Sequence, residues 1–194
     1  LGERLSAVLA GKVFALAELV LCIVALSQIN PTLPDLQLAE RFAPLAYHVA
    51  VDGLSMIFLL LSALLTFLMT LYGMSRGMIS PGRLFAVLLV AEAGLVGMLV
   101  TLNVAWFAAL SALELWAVAF LLRRWASSRA EIQALARFVQ YQAFGWLLFA
   151  AGCVVLGWSY ADASGGRWSF DLFELAQTLP AARIVQQLAA GVPG

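Results

Sequence analysis

Five long stretches of the chain are almost entirely apolar, and polar residues gather between them. Each stretch reaches the length of about 20 residues that a helix needs to cross the hydrocarbon core of a membrane. They are Leu5–Ile29, Val49–Tyr72, Leu84–Leu102, Val104–Leu122 and Ala134–Tyr160. The pattern predicts an all-α integral membrane protein in which residues 1–160 form a bundle of about five transmembrane helices.

Two further segments have a different character. Asn30–Pro44 carries three prolines, which predicts a loop. Residues 161–194 are predicted to form a tail outside the membrane. Within residues 167–179 of this tail, apolar side chains recur at helical spacing: Trp168, Leu172, Leu175 and Leu179. This spacing predicts a short amphipathic helix at the membrane interface, with Trp168 as its anchor.

Composition supports the membrane assignment and excludes several kinds of partner. The chain is 63% hydrophobic and 11% charged, against about 45–50% and about 25% in soluble domains. No basic stripe with interleaved aromatic residues is present, so nucleic acid is excluded as a partner. Cys22 and Cys153 lie in apolar runs and are interpreted as small buried side chains. With His48 as the only histidine, no metal site, haem or other cofactor is predicted.

Basic residues predict the orientation, since they divide the segments between the spans into two alternating groups. One group contains Arg4, Lys12, Arg76, Arg83, Arg123, Arg124, Arg129 and Arg137. In the other group, Arg41 lies in the first loop and Arg167 in the tail, and no basic residue lies at Asn103. Because cytoplasmic loops carry the excess of lysine and arginine, the N-terminus is predicted to be cytoplasmic. The tail is then external, or periplasmic if the protein lies in a bacterial inner membrane.

Glu92 and Glu114 are carboxyl side chains inside two neighbouring spans. Each lies eleven residues from Asn103, which is ~16 Å along a helix with a rise of ~1.5 Å per residue. Half of a ~30 Å hydrocarbon layer is about the same distance. Both carboxyl groups are therefore predicted near the membrane mid-plane. Because burial disfavours a charged carboxylate, they are candidates for taking up and releasing protons.

A structural interpretation of the same glutamates is also open. Each could be protonated or hydrogen-bonded and only hold helices together. Glu18, near the middle of the first span, is a third and weaker candidate for proton transfer. The sequence leaves open whether Glu114 faces Glu92, water or lipid.

Hydroxylated and small residues predict faces that contact other helices. One face of the second span presents four hydroxyl side chains, namely Ser55, Ser62, Thr66 and Thr70. Later spans present small residues, among them Gly97, Ala108, Ala112 and Gly145. Hydroxyl groups hydrogen-bond across helix interfaces, and small residues let helices approach closely. Helix packing is the interpretation favoured for all of them.

Three more residues are predicted at the ends of spans. His48 and Asp52 begin the second span, and at four residues apart they could hydrogen-bond as a proton-accepting station on the external side. Alternatively, Asp52 only caps the helix. Arg137 opens the last span on the cytoplasmic side. It is either an interfacial snorkelling charge or a cation near the cytoplasmic end of a proton path.

Taken in order, several motifs resemble one family. "YHVAVDGLSMIFLLLSALLTFL" resembles the third helix of the antiporter-like proton-pumping subunits of complex I, most closely the M-type subunit. "LLVAEAGLVGMLVTLNVAWFAALSALELWAVAFLLRRW" is similar to the hairpin that follows, in which the counterpart of Glu114 is the key mid-membrane carboxylate. "ARFVQYQAFGWLLFAAG" is similar to the next helix, with Arg137 where a lysine is usual. "RWSFDLFELAQTLP" is similar to the external segment after it.

This family also includes subunits of multisubunit sodium/proton antiporters and membrane hydrogenases. The resemblance implies the N-terminal part of such a subunit, because family members have many more helices and pair this glutamate with a lysine on a later one. The chain alone is therefore not expected to pump ions. It is expected to contribute to proton translocation together with other membrane subunits, as in an NADH:quinone oxidoreductase-like complex.

Two other functions are open. The first is an accessory transmembrane scaffold that derives from the same family and transports nothing itself. The second is a redox subunit, for which a single histidine and the lack of a cysteine motif leave only a quinone or lipid in a groove between helices.

Overall fold

Five long helices dominate the computed structural model, which describes residues 2–30, 33, 36–42, 47–75, 81–126 and 128–178. In chain order they are α1 (Gly2–Gln28), α2 (Gly53–Ser75), α3 (Pro81–Val100), α4 (Val104–Trp125) and α5 (Arg129–Ala163). A short helix, α6 (Leu172–Thr178), follows them. Each of the five long helices contains a stretch long and apolar enough to cross a membrane. The prediction of a helical integral membrane protein is confirmed.

Two short strands precede α2, and the apolar pattern predicts neither of them. β1 (Gln37–Phe42) lies within the segment expected to be a loop, and β2 (Tyr47–Val51) includes the start of the second predicted span. They pair antiparallel with Arg41 opposite His48. β2 packs against the α3–α4 turn, where Val49 pairs with Thr101, and its apolar residues Ala50 and Val51 are buried.

Asp52 explains why α2 begins after β2 and not at Val49. Its Oδ1 accepts a hydrogen bond of 2.6 Å from the backbone N–H of Ser55. A carboxylate in this position satisfies one of the amide groups that have no partner in the first turn of a helix. The polar residue between the strand and the helix therefore ends one element and starts the next.

α3 and α4 form an antiparallel hairpin around a turn of three residues. Asn103 closes the turn, since its Oδ1 accepts from the N–H groups of Ala105 at 3.0 Å and Trp106 at 3.2 Å. α3 contacts α1, α2 and α4, and α4 also contacts α5. A buried cluster of Val51, Met56 and Leu59 packs against α1 and α3. This arrangement makes α3 the central helix of the bundle.

α5 and α6 differ in length from the predicted segments. α5 begins five residues before Ala134, because the side chain of Ser128 accepts from the N–H of Glu131 in a capping box. α6 is shorter than the predicted helix over residues 167–179, and Leu179 and the rest of the tail lie outside the described residues.

The segment before α6 is extended because it pairs with the α3–α4 turn. The N–H of Val104 donates to the carbonyl of Phe170 at 2.9 Å, and the N–H of Leu172 donates to that of Leu102 at 2.9 Å. Trp168 is exposed and Leu175 is buried. The backbone groups of this segment are satisfied by the turn, so helix formation starts only after Asp171.

Candidate functional site

Glu92 lies in the interior of the bundle, where α3 faces α2. Its side chain is held by two hydroxyl groups from α2: Ser62 Oγ donates to Oε1, and Thr66 Oγ1 donates to Oε2 at 2.6 Å. All three residues are buried. The hydroxyl-bearing face of α2 therefore meets the central helix, and both oxygens of the carboxyl group have a hydrogen-bond donor.

Glu114 projects from α4 toward the same helix. Its Oε2 is buried and has no hydrogen-bond partner among the described residues. A Cβ atom built on Gly94 of α3 would lie 3.4 Å from this oxygen. The carboxyl group of Glu114 thus lies against the α3 backbone two residues beyond Glu92, and it interacts electrostatically with Glu92.

Glu18 brings a third carboxyl group to the bundle, from α1. It interacts electrostatically with Glu92 and lines an almost wholly apolar cavity of about 590 Å³ between α1, α2 and α3. Cys22 and Met56 also line this cavity. A lipid or quinone tail between helices stays a prediction, and this cavity is the apolar space that would receive it.

The three carboxyl groups form a set with Glu92 at its centre. Like charges in a poorly solvated site repel one another, so ionisation of one disfavours ionisation of its neighbours. Glu92 lies within electrostatic range of both Glu18 and Glu114. Among the described residues, no group of histidine, cysteine and acidic side chains is arranged to hold a metal ion.

A second polar cluster lies outside the spans, where β1 and β2 meet the segment before α6. Arg41 Nη2 lies 2.7 Å from Asp171 Oδ2 and 2.9 Å from Glu174 Oε1. His48 Nδ1 lies 2.7 Å from the same Oδ2 of Asp171. Asp171 is buried and pairs with Asn103, so one carboxylate connects the strand pair to the turn of the α3–α4 hairpin.

The charges of this cluster shift the pKa values of its acids. Burial raises the pKa of Asp171, but hydrogen bonds from Arg41 and His48 outweigh it and the net pKa is lowered. The pKa of Glu174 is also lowered, first by a hydrogen bond from Ser169 and then by Arg41. The ionised form of each acid is the one that the folded chain stabilises.

The predicted pair of His48 and Asp52 does not form. His48 lies in a strand, where alternate side chains point to opposite faces, and its partner is Asp171. Asp52 instead caps α2. The sequence contained an indication of the contact with Asp171. Arg41 and Asp171 are charged residues in two segments predicted on the same side of the membrane.

The other predicted residues are distributed over α3, α4 and α5. A Cβ atom on Gly97 would lie 2.7 Å from Leu110 Cδ1, so α3 and α4 approach closely there. Ala108 is buried, and its carbonyl accepts a hydrogen bond of 2.9 Å from Trp146 Nε1 of α5. Ala112, also on α4, is half-buried.

Gly145 and Arg137 are not drawn into the site. A Cβ atom on Gly145 would meet no described atom within 4 Å, so this position of α5 faces open space. Arg137 is exposed on α5 and forms no ion pair within the described part of the chain. The structure therefore brings together Glu18, Glu92 and Glu114 and leaves Arg137 apart from them.

Comparison with known proteins supports the fold. No family model and no curated protein sequence matches this chain. Among solved structures, the chain is similar to one from the membrane-bound sulfane sulfur reductase (MBS), an archaeal respiratory membrane complex, with a TM-score of 0.66 and 15% sequence identity. The match covers 86% of this chain and 33% of the other. The described bundle thus has the fold of part of a longer membrane protein.

Proposed function

We propose that this chain is a membrane subunit of a multisubunit respiratory-type complex and that its buried carboxyl groups carry protons within that complex. The observation that carries the proposal is the placement of Glu92 and Glu114 on the two arms of one hairpin, where Glu92 and the Oε2 atom of Glu114 are buried and the two groups interact electrostatically. The similarity in fold to a chain of an archaeal respiratory complex supports it.

The arrangement suits proton transfer because the two carboxyl groups differ in environment. A proton that moves between coupled groups needs sites whose relative stability changes with the charge of the neighbour. Glu92 is fixed by two donors, whereas one oxygen of Glu114 has none among the described residues. The more specific proposal is an antiporter-like subunit resembling the M-type subunit of complex I, with Glu114 as the proton carrier.

The proposed orientation places the N-terminus in the cytoplasm. Arg83 lies near the start of α3 and Arg123 and Arg124 lie at the end of α4, so all three are at the open end of the hairpin. Arg41 lies beside the turn at the other end. An excess of arginine at one end indicates the cytoplasmic side.

Replacement of Glu114 tests the proposed function. In the complex reconstituted into vesicles, Glu114→Gln should lower coupled proton transfer by about tenfold or more, because an amide cannot bind and release a proton near neutral pH. Glu40→Gln, which alters an exposed glutamate of β1, is the matched control and should leave proton transfer unchanged. Equal transfer by both variants and the wild type would refute the proposal.

A scaffold without transport is the second candidate. The hydroxyl groups of Ser62 and Thr66 satisfy Glu92 in the way expected of a glutamate that only joins two helices. If this function is the true one, Glu114→Gln retains both assembly and proton transfer. The double variant Ser62→Ala/Thr66→Val would then impair assembly of the complex.

A further inference from the structure

The hydrogen-bond donors around the two hairpin glutamates are distributed unequally. Glu92 receives one hydroxyl donor on each of its carboxyl oxygens, from Ser62 and Thr66. Glu114 presents a buried Oε2 without a donor among the described residues. Two carboxyl groups of the same kind, in the same layer of the bundle, are therefore held very differently.

Gly94 is the residue of α3 that faces this oxygen. A Cβ atom on Gly94 would lie 3.4 Å from Glu114 Oε2, 3.6 Å from the carbonyl oxygen of Leu110 and 3.9 Å from Glu114 Cβ. These distances are ordinary contacts, so the space accommodates one more carbon atom. A hydroxyl group on that carbon would come within hydrogen-bonding reach of Oε2.

We infer that Gly94 is a positioning residue for proton transfer: it keeps α3 free of a side-chain donor beside Glu114, so that this carboxyl group exchanges its proton readily. The inference rests on the proposed function. A hydroxyl donor at this place would hold Glu114 as Ser62 and Thr66 hold Glu92, since hydrogen bonds to a charged acceptor are among the stronger ones in proteins.

The structural alternative is that glycine is needed only for close packing of α3 and α4. At Gly97 an added Cβ would lie 2.7 Å from Leu110 Cδ1, so the leucine side chain would have to move. At Gly94 the nearest atoms leave room for a methyl group. Close packing therefore does not require glycine at position 94, and the inference requires only that the residue here carries no hydrogen-bond donor, a condition that alanine also meets.

Two variants that differ by one hydroxyl group test the inference. In the reconstituted complex, Gly94→Ala should transfer protons within about twofold of the wild type. Gly94→Ser should slow transfer by about tenfold, the factor expected from one hydrogen bond to a charged acceptor. Glu114→Gln is measured in parallel, and a loss of transfer in this variant establishes that Glu114 works in the wild type.

A spectroscopic readout separates a change in proton transfer from a packing defect. The carbonyl stretch of the Glu114 carboxylic acid, identified by its loss in Glu114→Gln, should shift in Gly94→Ser and stay in place in Gly94→Ala. An unshifted band and unchanged transfer in Gly94→Ser would overturn the inference, as would equal losses of transfer in the serine and alanine variants. Unchanged transfer in Glu114→Gln would instead refute the proposed function.

Discussion

Glu92 keeps its position through hydroxyl groups that belong to a neighbouring helix. Ser62 and Thr66 are four residues apart on α2 and so lie on one face of the helix, and each donates to a different oxygen of the carboxyl group. Burying a carboxyl oxygen without a hydrogen-bond donor lowers the stability of the fold by about the desolvation penalty of that oxygen. These two bonds therefore contribute to the stability of the contact between α2 and α3.

Removal of both hydroxyl groups should destabilise the bundle. The double variant Ser62→Ala/Thr66→Val leaves the carboxyl group of Glu92 without its two donors, at a cost of about 1–3 kcal/mol in the free energy of unfolding. Ser159→Ala, which alters an exposed serine of α5, is the control and should change it by less than about 0.5 kcal/mol. Thermal unfolding in detergent measures the difference, and equal stability of the two variants would contradict the stabilising role of these bonds.

The sequence predicts one level for the two hairpin glutamates, but it does not predict their partners. Counting residues from Asn103 predicts the same depth for Glu92 and Glu114, since the rise of a helix is fixed. Which side of α2 faces Glu92 depends on the rotation of each helix about its axis, which is decided by packing across the bundle. His48 was misplaced because an apolar run that begins in a buried strand has no helical period of its own.

Gly97 of α3 packs against the side chain of Leu110 of α4. An added Cβ would lie 2.7 Å from Leu110 Cδ1, so Gly97→Ala should destabilise the chain by about 1–3 kcal/mol through overpacking. Combining it with Leu110→Ala should recover part of the loss, because the obstructing atoms are gone. Gly145→Ala meets open space and should be neutral or slightly stabilising. Thermal unfolding in detergent would refute this account if Gly97→Ala and Gly145→Ala behaved alike.

The strand pair and α6 are joined to the hairpin through Asp171. Its pKa is lowered in the folded chain, so its ion pairs stabilise the fold above the pKa of about 3.9 of an unfolded aspartate and lose this effect as pH falls through the lower folded value. Asp171→Asn should lower the free energy of unfolding by about 1–2 kcal/mol at neutral pH. The difference from the wild type should shrink in acid.

Asp162→Asn is the matched control for this substitution, since Asp162 is exposed at the end of α5. It should leave stability unchanged at every pH. A loss of stability in Asp171→Asn that stayed constant from neutral pH into acid would show that the carboxylate contributes by shape and not by charge. Unfolding curves collected across this range distinguish the two outcomes.

At the scale of elements, the sequence predicted the long helices well and the short elements poorly. Long apolar runs have few alternatives to a membrane helix, because every backbone group must be satisfied within the segment. β1 is exposed along most of its length and has little apolar pattern. It forms because its partner β2 is held against the α3–α4 turn, a long-range contact that no local pattern reveals.

Considered as a whole, the molecule is a bundle in which one central helix carries Glu92, and Glu18 of α1 and Glu114 of α4 interact with it electrostatically. The matched region makes up 33% of the solved chain that shares its fold. A proton that crosses a membrane needs a continuous series of groups, and under the proposed function the described carboxyl groups would provide only part of one. The account therefore requires further membrane subunits or segments that complete the path.

Native mass spectrometry of the assembly that contains this chain, isolated from its own membrane in mild detergent, tests that requirement most directly. The account predicts a stoichiometric complex in which the chain is bound to other membrane subunits carrying further ionisable groups within their spans. Isolation of the chain by itself, with no other membrane subunit bound, would contradict the account.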